Sequence, residues 1–374
     1  MKRFWLLVIL ISFGCIVSSC AFSRNVDFTK VTDEEQAYFD QINLADKYVY
    51  ATLNDQEKYY YRKMLKCLMN YEDSVTIQSI DYNVMETAYK AIRRDYGGIF
   101  WVDGYRYETT KDATVFTPTY SMTQDQKGWY ATQIKNDVAE VTAKLRGNDY
   151  DKVKALYEYL VKNVAYNESA ENGQNILSVF LENETVCNGY ASATQYVLDL
   201  VGVESIIVTG YSGNEKHAWN YVMLNGNWYQ MDVTYGATSD RVDGIDYLYM
   251  TMTDDICNMN HIADDTYVPP VCDSMEDNYF VQEGMFFKST QMGELSKYIE
   301  TQYNKKNPEI IFVTDCDITS AYVKEHILSD KNIVKLCTGV NTMQYEFSEA
   351  YNFFALYLPV SYTHLRAHET GAYL

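Results

Sequence analysis

The sequence predicts an α+β protein in which a cysteine-bearing helix packs on an antiparallel sheet that carries a histidine and an aspartate. Three observations predict this class. Apolar residues recur at helical spacing over several stretches, for example at Tyr60, Met64 and Leu68. Shorter stretches rich in β-branched residues lie between the helical patterns and indicate strands. Asn225-Gly226 separates two such strands, and this dipeptide strongly favours a two-residue hairpin turn.

The N-terminal part of the body begins with helical patterns. The spacing predicts helices over 46–70 and 83–96, and Gly97-Gly98 ends the second. Strand-like segments then extend as far as Tyr120. We therefore expect an N-terminal α+β unit over residues 46–120.

The middle of the chain, residues 121–240, is predicted to form the core domain. Its expected helices are 121–146, 149–164 and 188–200, and its expected strands are 205–209, 218–224 and 228–233. The third helix begins directly after Cys187, and the strands that follow carry His217 and Asp232.

The C-terminal part is predicted to consist of three segments. Residues 241–278 are expected to be an irregular extension, and residues 279–360 a C-terminal α/β unit. In that unit the expected strands are 279–287, 309–314 and 347–358, and the expected helices are 292–303 and 320–328. Residues 361–374 resemble translated adapter sequence and are expected to be a non-native tail, so His364 and His368 take no part in the functional reasoning.

The first residues predict export. Two basic residues precede an apolar stretch that runs to Val17, which is typical of a secretory signal peptide. Small residues then precede Cys20, and this arrangement resembles a bacterial lipobox, in which residues 1–19 are removed and the thiol receives fatty-acyl chains such as palmitate. We expect a lipid-anchored protein on the extracytoplasmic face of the cell membrane, with a polar tether over residues 20–45. An ordinary cleaved signal peptide is the alternative.

The charge and motif content exclude several functions. The formal net charge of −20 argues against nucleic acid as a partner, because a phosphate binder needs a basic face. The sequence contains neither a G-x-x-x-x-G-K-[ST] phosphate loop nor a dinucleotide fingerprint, and no cofactor is predicted.

Three core residues have the types and spacing of a thiol-based catalytic site. A cysteine attacks carbonyls as its thiolate, which a helix N-terminus and a neighbouring imidazolium both stabilise. Cys187 lies at a predicted helix start, where backbone amides offer an oxyanion site and Gly189 leaves room for substrate. Pairing of the strands around the hairpin turn places position 217+k opposite position 234−k. Asp232 is thereby expected beside His217, where its carboxylate fixes the orientation of the imidazole.

The same residues carry a resemblance to a known family. The stretches concerned are Val186-Cys187-Asn188-Gly189-Tyr190, His217-Ala218-Trp219-Asn220 and Trp228-Tyr229-Gln230-Met231-Asp232-Val233-Thr234. They are similar in order and spacing to motifs of the transglutaminase-like superfamily of papain-type cysteine enzymes, over roughly residues 150–240. The resemblance implies a papain-like core with Cys187 as nucleophile, His217 as base and Asp232 as orienting acid. It also implies that Tyr166 contributes to the oxyanion site.

Two departures from the family pattern lie near these motifs. Thr185 stands where many relatives have glycine, and Tyr235 stands where tryptophan often follows the aspartate motif. They bear on substrate more than on mechanism.

Some cysteines allow other interpretations. Cys257 and Cys272 form the most plausible disulfide if any pair forms. The same two residues with His261 and the neighbouring Asp254 and Asp255 have donor types suitable for zinc. The cluster lacks a Cys-x-x-Cys pair and a clear fourth ligand, so no metal is predicted and a structural His261 is favoured.

The sequence thus predicts an exported peptidase or amidase that acts on peptide or protein substrates, including cell-wall peptides, through a thioester at Cys187. A crosslinking transglutaminase, in which an amine replaces water, is the first alternative. A non-catalytic surface module that retains the triad and binds ligands through its cleft and tyrosines is the second.

Overall fold

The computed structural model describes residues 26–239, 241–264, 267–315, 317–338 and 344–357 of the 374-residue chain. Helices and small, mostly antiparallel sheets alternate along these residues, so the predicted α+β class is confirmed. The predicted signal sequence with Cys20 and the predicted tail at 361–374 lie outside the described residues. In the part of the chain that is described, no helix combines the length and the apolar character needed to cross a membrane.

The N-terminal region combines helices with a small antiparallel sheet of order β1-β3-β2. Its elements are α1 (Asp33–Gln41), α2 (Tyr48–Thr52), α3 (Asp55–Met69), β1 (Val75–Ile77), α4 (Tyr82–Asp95), β2 (Val102–Thr109) and β3 (Thr114–Tyr120). The single helix predicted over 46–70 is divided in two. Asn54 and Glu57 form a capping box that starts α3, since the Asn54 side chain accepts from Glu57 N and Glu57 accepts from Asn54 N.

The tether predicted over residues 20–45 is wrong for its second half. Thr32 and Glu35 form another capping box, which starts α1. Phe39 and Leu44 are buried in the main core. The stretch was predicted to be a tether because most of its residues are polar. The apolar side chains of Phe39 and Leu44 nevertheless pack it against the rest of the protein.

The central part of the chain contains long helices followed by a hairpin-rich sheet, as predicted. Its elements are α5 (Gln124–Thr142), α6 (Asp149–Asn163), β4 (Ala165–Tyr166), β5 (Glu184–Thr185), α7 (Cys187–Leu200), β6 (Ser205–Ser212), β7 (Glu215–Leu224), β8 (Asn227–Met231) and α8 (Val233–Ala237). The strand predicted over 228–233 ends early, because Asp232 accepts a hydrogen bond from Tyr235 N and thereby caps α8.

The hairpin between β7 and β8 has the predicted register. Asn225 and Gly226 both adopt left-handed backbone, with φ of 50° and 86°, as a type I′ turn requires. Asn220 faces Met231 and Leu224 faces Asn227 along the ladder. Position 217+k therefore lies opposite 234−k, and this prediction is confirmed.

Residues 241–278, predicted to be irregular, contain α9 (Asp254–Cys257) and β9 (His261–Ala263). β9 pairs antiparallel with β6, which gives the central sheet the order β8-β7-β6-β9. The irregular extension thus supplies an edge strand to the sheet that carries the predicted site.

The C-terminal unit is a mixed sheet of order β10-β11-β13-β12 with helices packed on it. Its elements are α10 (Tyr279–Gln282), β10 (Phe286–Phe287), α11 (Met292–Asn304), β11 (Glu309–Thr314), α12 (Ser320–His326), α13 (Asp330–Leu336), β12 (Gln344–Ser348) and β13 (Phe353–Tyr357). Two strand predictions need correction. The stretch 279–287 begins as a helix because the Asn278 side chain caps it, and the stretch predicted as one strand over 347–358 contains the end of β12 and all of β13.

One continuous apolar core joins the N-terminal helices to the central sheet. It includes Leu65 of α3, Ile92 of α4 and Val222 of β7, all fully buried. A second cluster in the C-terminal unit includes Phe312 and Phe354, whose rings stack. The main core contains residues from both sides of residue 120. The predicted boundary between two units at that position stays a prediction.

Candidate functional site

Cys187 is the first residue of α7. As the first residue of the helix, it has an N–H without an acceptor inside the helix, and this N–H points beyond the helix end. The half-buried side chain packs against Ala191, Ile207 and Ala218, which places it on the seam between α7 and the central sheet. The helix terminus therefore presents the thiol together with unused backbone donors.

Gly189 has a different role from the predicted one. A Cβ at this position would lie 1.8 Å from Thr185 Oγ1 and 2.8 Å from Gly173 O. The glycine is thus required for α7 to pack against β5. Thr185, the departure from the family pattern, is fully buried, and its hydroxyl lies 2.7 Å from Ser178 Oγ and donates to Gly173 O at 3.0 Å.

His217 and Asp232 lie side by side, as the hairpin register requires. His217 Nε2 is 2.6 Å from Asp232 Oδ2, and the Asp232 side chain is completely buried. The other carboxylate oxygen, Oδ1, accepts a hydrogen bond from Tyr235 N at 3.1 Å. The carboxylate is therefore fixed both by the imidazole and by the start of α8.

Cys187 lies beside His217, because its side chain packs against Ala218, the next residue of β7, and is close enough to raise the pKa of the imidazole. Since Nε2 is engaged by Asp232, Nδ1 is the ring nitrogen left for the thiol. The structure thus brings together the three residues that the sequence predicted as nucleophile, base and orienting acid, in the order Cys187, His217, Asp232.

The charges in this group stabilise one another. Burial raises the pKa of Asp232, but the hydrogen bonds from His217 and His261 outweigh it and lower that pKa to about 2. Burial lowers the pKa of His217, but its hydrogen bond to Asp232 and the nearby Cys187 side chain outweigh it and raise that pKa to about 10. At neutral pH the pair is therefore a carboxylate and an imidazolium, and a neighbouring imidazolium favours the thiolate of a cysteine.

Aromatic rings hold the imidazole of His217 in place. Trp219 lies nearly parallel to it at a centroid distance of 5.9 Å, and Tyr235 meets it edge-on at 5.4 Å. The hydroxyl of Tyr235 is in turn 2.5 Å from Ser212 Oγ. Tyr235, the second departure from the family pattern, thus still packs an aromatic ring against the site.

Tyr166 lies at the edge of the same site. It belongs to β4, which pairs with β5 directly before Cys187, and it is 41% exposed. Burial and the nearby charge of Cys187 both raise the pKa of its hydroxyl, which is therefore protonated at neutral pH. The predicted contribution of Tyr166 to an oxyanion site stays a prediction.

His261 is a member of the site that sequence reasoning did not place there. Its Nε2 is 2.9 Å from Asp232 Oδ2, the same oxygen that contacts His217, and its Nδ1 is 2.5 Å from Asn260 Oδ1. The side chain is buried. β9 spans only three residues, too few for an alternating pattern, so the sequence carried no signal for its pairing with β6.

The alternative zinc cluster and disulfide are not formed. Cys257 and Cys272 are free thiols, and the Asp254 carboxylate accepts hydrogen bonds from Gln230 Nε2 and Cys272 N. Among the described residues, one group of histidine, cysteine and carboxylate side chains brings its possible ligand atoms within 4.8 Å of one another, and it consists of His217, Asp232 and His261. The two short contacts within that group are direct hydrogen bonds.

Comparison with known proteins agrees with this arrangement. Residues 136–233 match the sequence profile of the Transglutaminase-like superfamily, and this range contains Cys187, His217 and Asp232. A stretch of 156 residues is 26% identical to kyphoscoliosis peptidase of Homo sapiens, and it covers 36% of this chain and 23% of that protein. The match therefore spans less than a quarter of the length of the curated relative.

Two solved structures are also similar to the chain. A crystal structure described as that of a TGase has 15% sequence identity and a TM-score of 0.28, with coverage of 45% of this chain and 52% of the other. The periplasmic domain of TgpA from Pseudomonas aeruginosa has 16% identity and a TM-score of 0.24, with coverage of 36% and 63%.

Proposed function

The chain contains a transglutaminase-like domain at residues 136–233, and from this premise we propose that it is a cysteine peptidase or amidase that cleaves peptide or protein substrates. The observation that carries the proposal is the linked series Cys187, His217 and Asp232. The His217–Asp232 contact of 2.6 Å is shielded from solvent, and the thiol lies at a helix N-terminus beside the imidazolium. This is the arrangement that activates a thiol for attack on a carbonyl.

The proposed reaction begins with the thiolate of Cys187. Sulfur forms a bond to the carbonyl carbon of the substrate, and the carbonyl oxygen takes up the negative charge. In this proposal the N–H of Cys187, at the start of α7, and the hydroxyl of Tyr166 stabilise that oxygen. His217 then gives its proton to the leaving amine, the carbon–nitrogen bond breaks, and a thioester remains on Cys187.

The second half of the reaction releases the acyl group. His217, now neutral, removes a proton from water, and the resulting hydroxide attacks the thioester. The carbon–sulfur bond breaks, which yields the carboxylic acid, the Cys187 thiolate and the His217 imidazolium. A primary amine in place of water would produce a crosslink, and the experiment below distinguishes the two acceptors.

We also propose that the protein acts outside the cell, anchored to the membrane by acyl chains on Cys20. The support is the sequence before Cys20, with its basic residues and apolar stretch. Cells that express the full chain should incorporate labelled palmitate into it, and the variant Cys20→Ala should not. Equal labelling of the two proteins would refute the anchor. Peptides of the cell wall and surface proteins are the substrates within reach of such an enzyme.

Reactivity of the thiols tests the catalytic proposal. Burial raises the pKa of Cys67 to about 12 and that of Cys337 to about 11, so these thiols should remain protonated near neutrality. Iodoacetamide at pH 7 should alkylate Cys187 at least about a hundredfold faster than either, because the thiolate is the reactive form. Mapping of the modified peptides by mass spectrometry gives each rate. Equal rates for Cys187 and Cys337 would contradict an activated thiol.

Turnover on a peptide library completes the test. The variant Cys187→Ala should lose cleavage altogether, while Cys337→Ala, which removes a thiol in the C-terminal unit, should retain it. A parallel assay follows incorporation of a fluorescent primary amine into glutamine-containing proteins. Peptide cleavage without amine incorporation supports a peptidase, and incorporation without cleavage supports a crosslinking enzyme. Absence of both activities would favour a non-catalytic binding module.

A further inference from the structure

β9 places His261 beside Asp232 of the candidate site. Ser212 of β6 pairs with His261, and the strand is held at its far end by Asp264, whose backbone N–H donates to Thr209 O. Arg94 of α4 forms an ion pair with the Asp264 side chain. His261 is 1% exposed, and rings of Trp219 and Tyr235 lie 4.9 Å and 5.2 Å from its own. The side chain is thus fixed by the sheet and by its neighbours.

One carboxylate oxygen of Asp232 contacts two imidazole rings. Oδ2 lies 2.6 Å from His217 Nε2 and 2.9 Å from His261 Nε2, while Oδ1 accepts from Tyr235 N. A carboxylate oxygen only accepts hydrogen bonds, so Nε2 of His261 must carry a proton. The carboxylate is buried, so these donors replace water as its partners.

We propose that His261 is a positioning residue of this site: by donating to Asp232 Oδ2 it fixes the direction of the carboxylate and takes up part of its charge, which keeps His217 acidic enough to protonate the leaving group. The proposal rests on the proposed acyl-transfer function. His261 is buried, its side chain contacts Asp232 and Asn260, and in this proposal it acts on the reaction through Asp232.

The charge balance around His217 gives the direction of the effect. The titratable groups that face the His217–Asp232 pair come from several elements, and they are Cys187 of α7, Tyr235 of α8, His261 of β9, Cys257 of α9, Tyr157 of α6 and Tyr249. Of these, His261 makes a side-chain hydrogen bond to the pair, through Asp232 Oδ2. If the His261 donor is lost, the full carboxylate charge acts on His217, the imidazolium becomes more stable, and it gives up its proton less readily.

Two acetyl substrates separate this effect from simple loss of structure. p-Nitroacetanilide needs a proton on its leaving amine, whereas p-nitrophenyl acetate releases a stable anion without one. We expect His261→Leu to slow the anilide about tenfold, equivalent to one pKa unit, and the ester less than about threefold. The alkaline limb of the anilide profile should move upward by about one pH unit. A structural defect would slow both substrates alike.

The variant His261→Gln is the matched control. Its amide nitrogen occupies nearly the position of Nε2 and donates the same hydrogen bond without the ring. It should hydrolyse both substrates within about threefold of the unmodified protein, since the donor is retained. A glutamine variant as slow on the anilide as the leucine variant would overturn the proposal, and so would equal slowing of both substrates by leucine.

A spectroscopic measurement keeps the proposal testable if the leucine variant does not fold or if neither substrate is turned over. The full chain, labelled with nitrogen-15 on its 5 histidines, should show His261 protonated at Nε2 at pH 7, with its signal assigned by its absence in His261→Gln. An unprotonated Nε2 refutes the positioning role, whatever the activity. Absent turnover with an unreactive Cys187 refutes the proposed function alone.

Discussion

Replacement of Asp232 by asparagine tests the candidate site most sharply, because the structure leaves the new amide no satisfactory orientation. Oδ2 faces two histidine ring nitrogens, and Oδ1 faces the Tyr235 N–H. If the amide oxygen stays toward Tyr235, its NH₂ group meets both imidazoles. If it turns toward the imidazoles, its NH₂ group meets the backbone donor that starts α8.

The first orientation also gives His217 the wrong tautomer. An NH₂ group opposite Nε2 requires that nitrogen to be an acceptor, which places the ring proton on Nδ1, toward Cys187. His217 then cannot accept the proton of the thiol. Loss of the carboxylate charge also disfavours the thiolate of Cys187, because the pKa of His217 falls from about 10 toward its ordinary value of 6.5 or below. At pH 7.5 His217 is then protonated in about a tenth of the molecules or fewer.

We therefore expect Asp232→Asn to reduce kcat by roughly 10³ to 10⁴, as the loss of an orienting carboxylate does in other triads. The iodoacetamide rate at Cys187 should fall about tenfold at pH 7.5. The unsatisfied donor and the lost ion pair should lower the free energy of unfolding on the order of 2 to 4 kcal/mol. Asp254→Asn is the matched control, because that carboxylate also accepts two hydrogen bonds but does not contact His217.

Urea unfolding at several pH values tests the direction in which the stability changes with pH. The stability contributed by the raised pKa of His217 is fully present below about pH 6.5 and is lost as the pH rises through about 10. The stability gap between the unmodified protein and Asp232→Asn should therefore be large at pH 7 and shrink toward pH 10. Asp232→Asn activity above a tenth of the original, or equal damage by Asp254→Asn, would refute the reasoning.

Two further predictions follow from the same geometry. In the unmodified protein kcat/KM should fall on the alkaline side near pH 10, because His217 then loses its proton, and an alkaline limb below pH 8 would contradict the imidazolium. Gly210→Ala should reproduce the substrate selectivity of His261→Leu, since its Cβ would lie 2.1 Å from Ile262 O and displace β9. Gly104→Ala, at a strand glycine with open space around it, is the control and should leave the anilide-to-ester ratio unchanged.

The parts of the site that the sequence predicted are those set by local signals. The Asn225-Gly226 turn fixed the pairing of β7 with β8, and with it the approach of Asp232 to His217. The helix start at Cys187 followed from the periodicity of α7. These features depend on residues close in the chain, so spacing and turn chemistry were enough to place them.

The parts that the sequence did not predict depend on distant contacts. His261 reaches Asp232 only because β9 pairs with β6 across a segment without a regular pattern. In the same way, α1 is kept folded by the burial of Phe39, which its polar composition did not suggest. The start of the C-terminal unit was predicted as a strand, but Asn278 caps a helix there. In each case tertiary packing, rather than local propensity, decided the outcome.

The ion pair between Arg94 and Asp264 has a consequence for the modularity of this protein. It fastens the edge strand to a helix that begins at Tyr82, so the sheet depends on chain that lies on both sides of residues 136–233. We expect a fragment excised at 136–233 to be neither autonomous nor transferable to another host protein, whereas one from 26 to 357 should be both. Circular dichroism of the two fragments measures the difference, and a cooperative melt of the shorter one would contradict it.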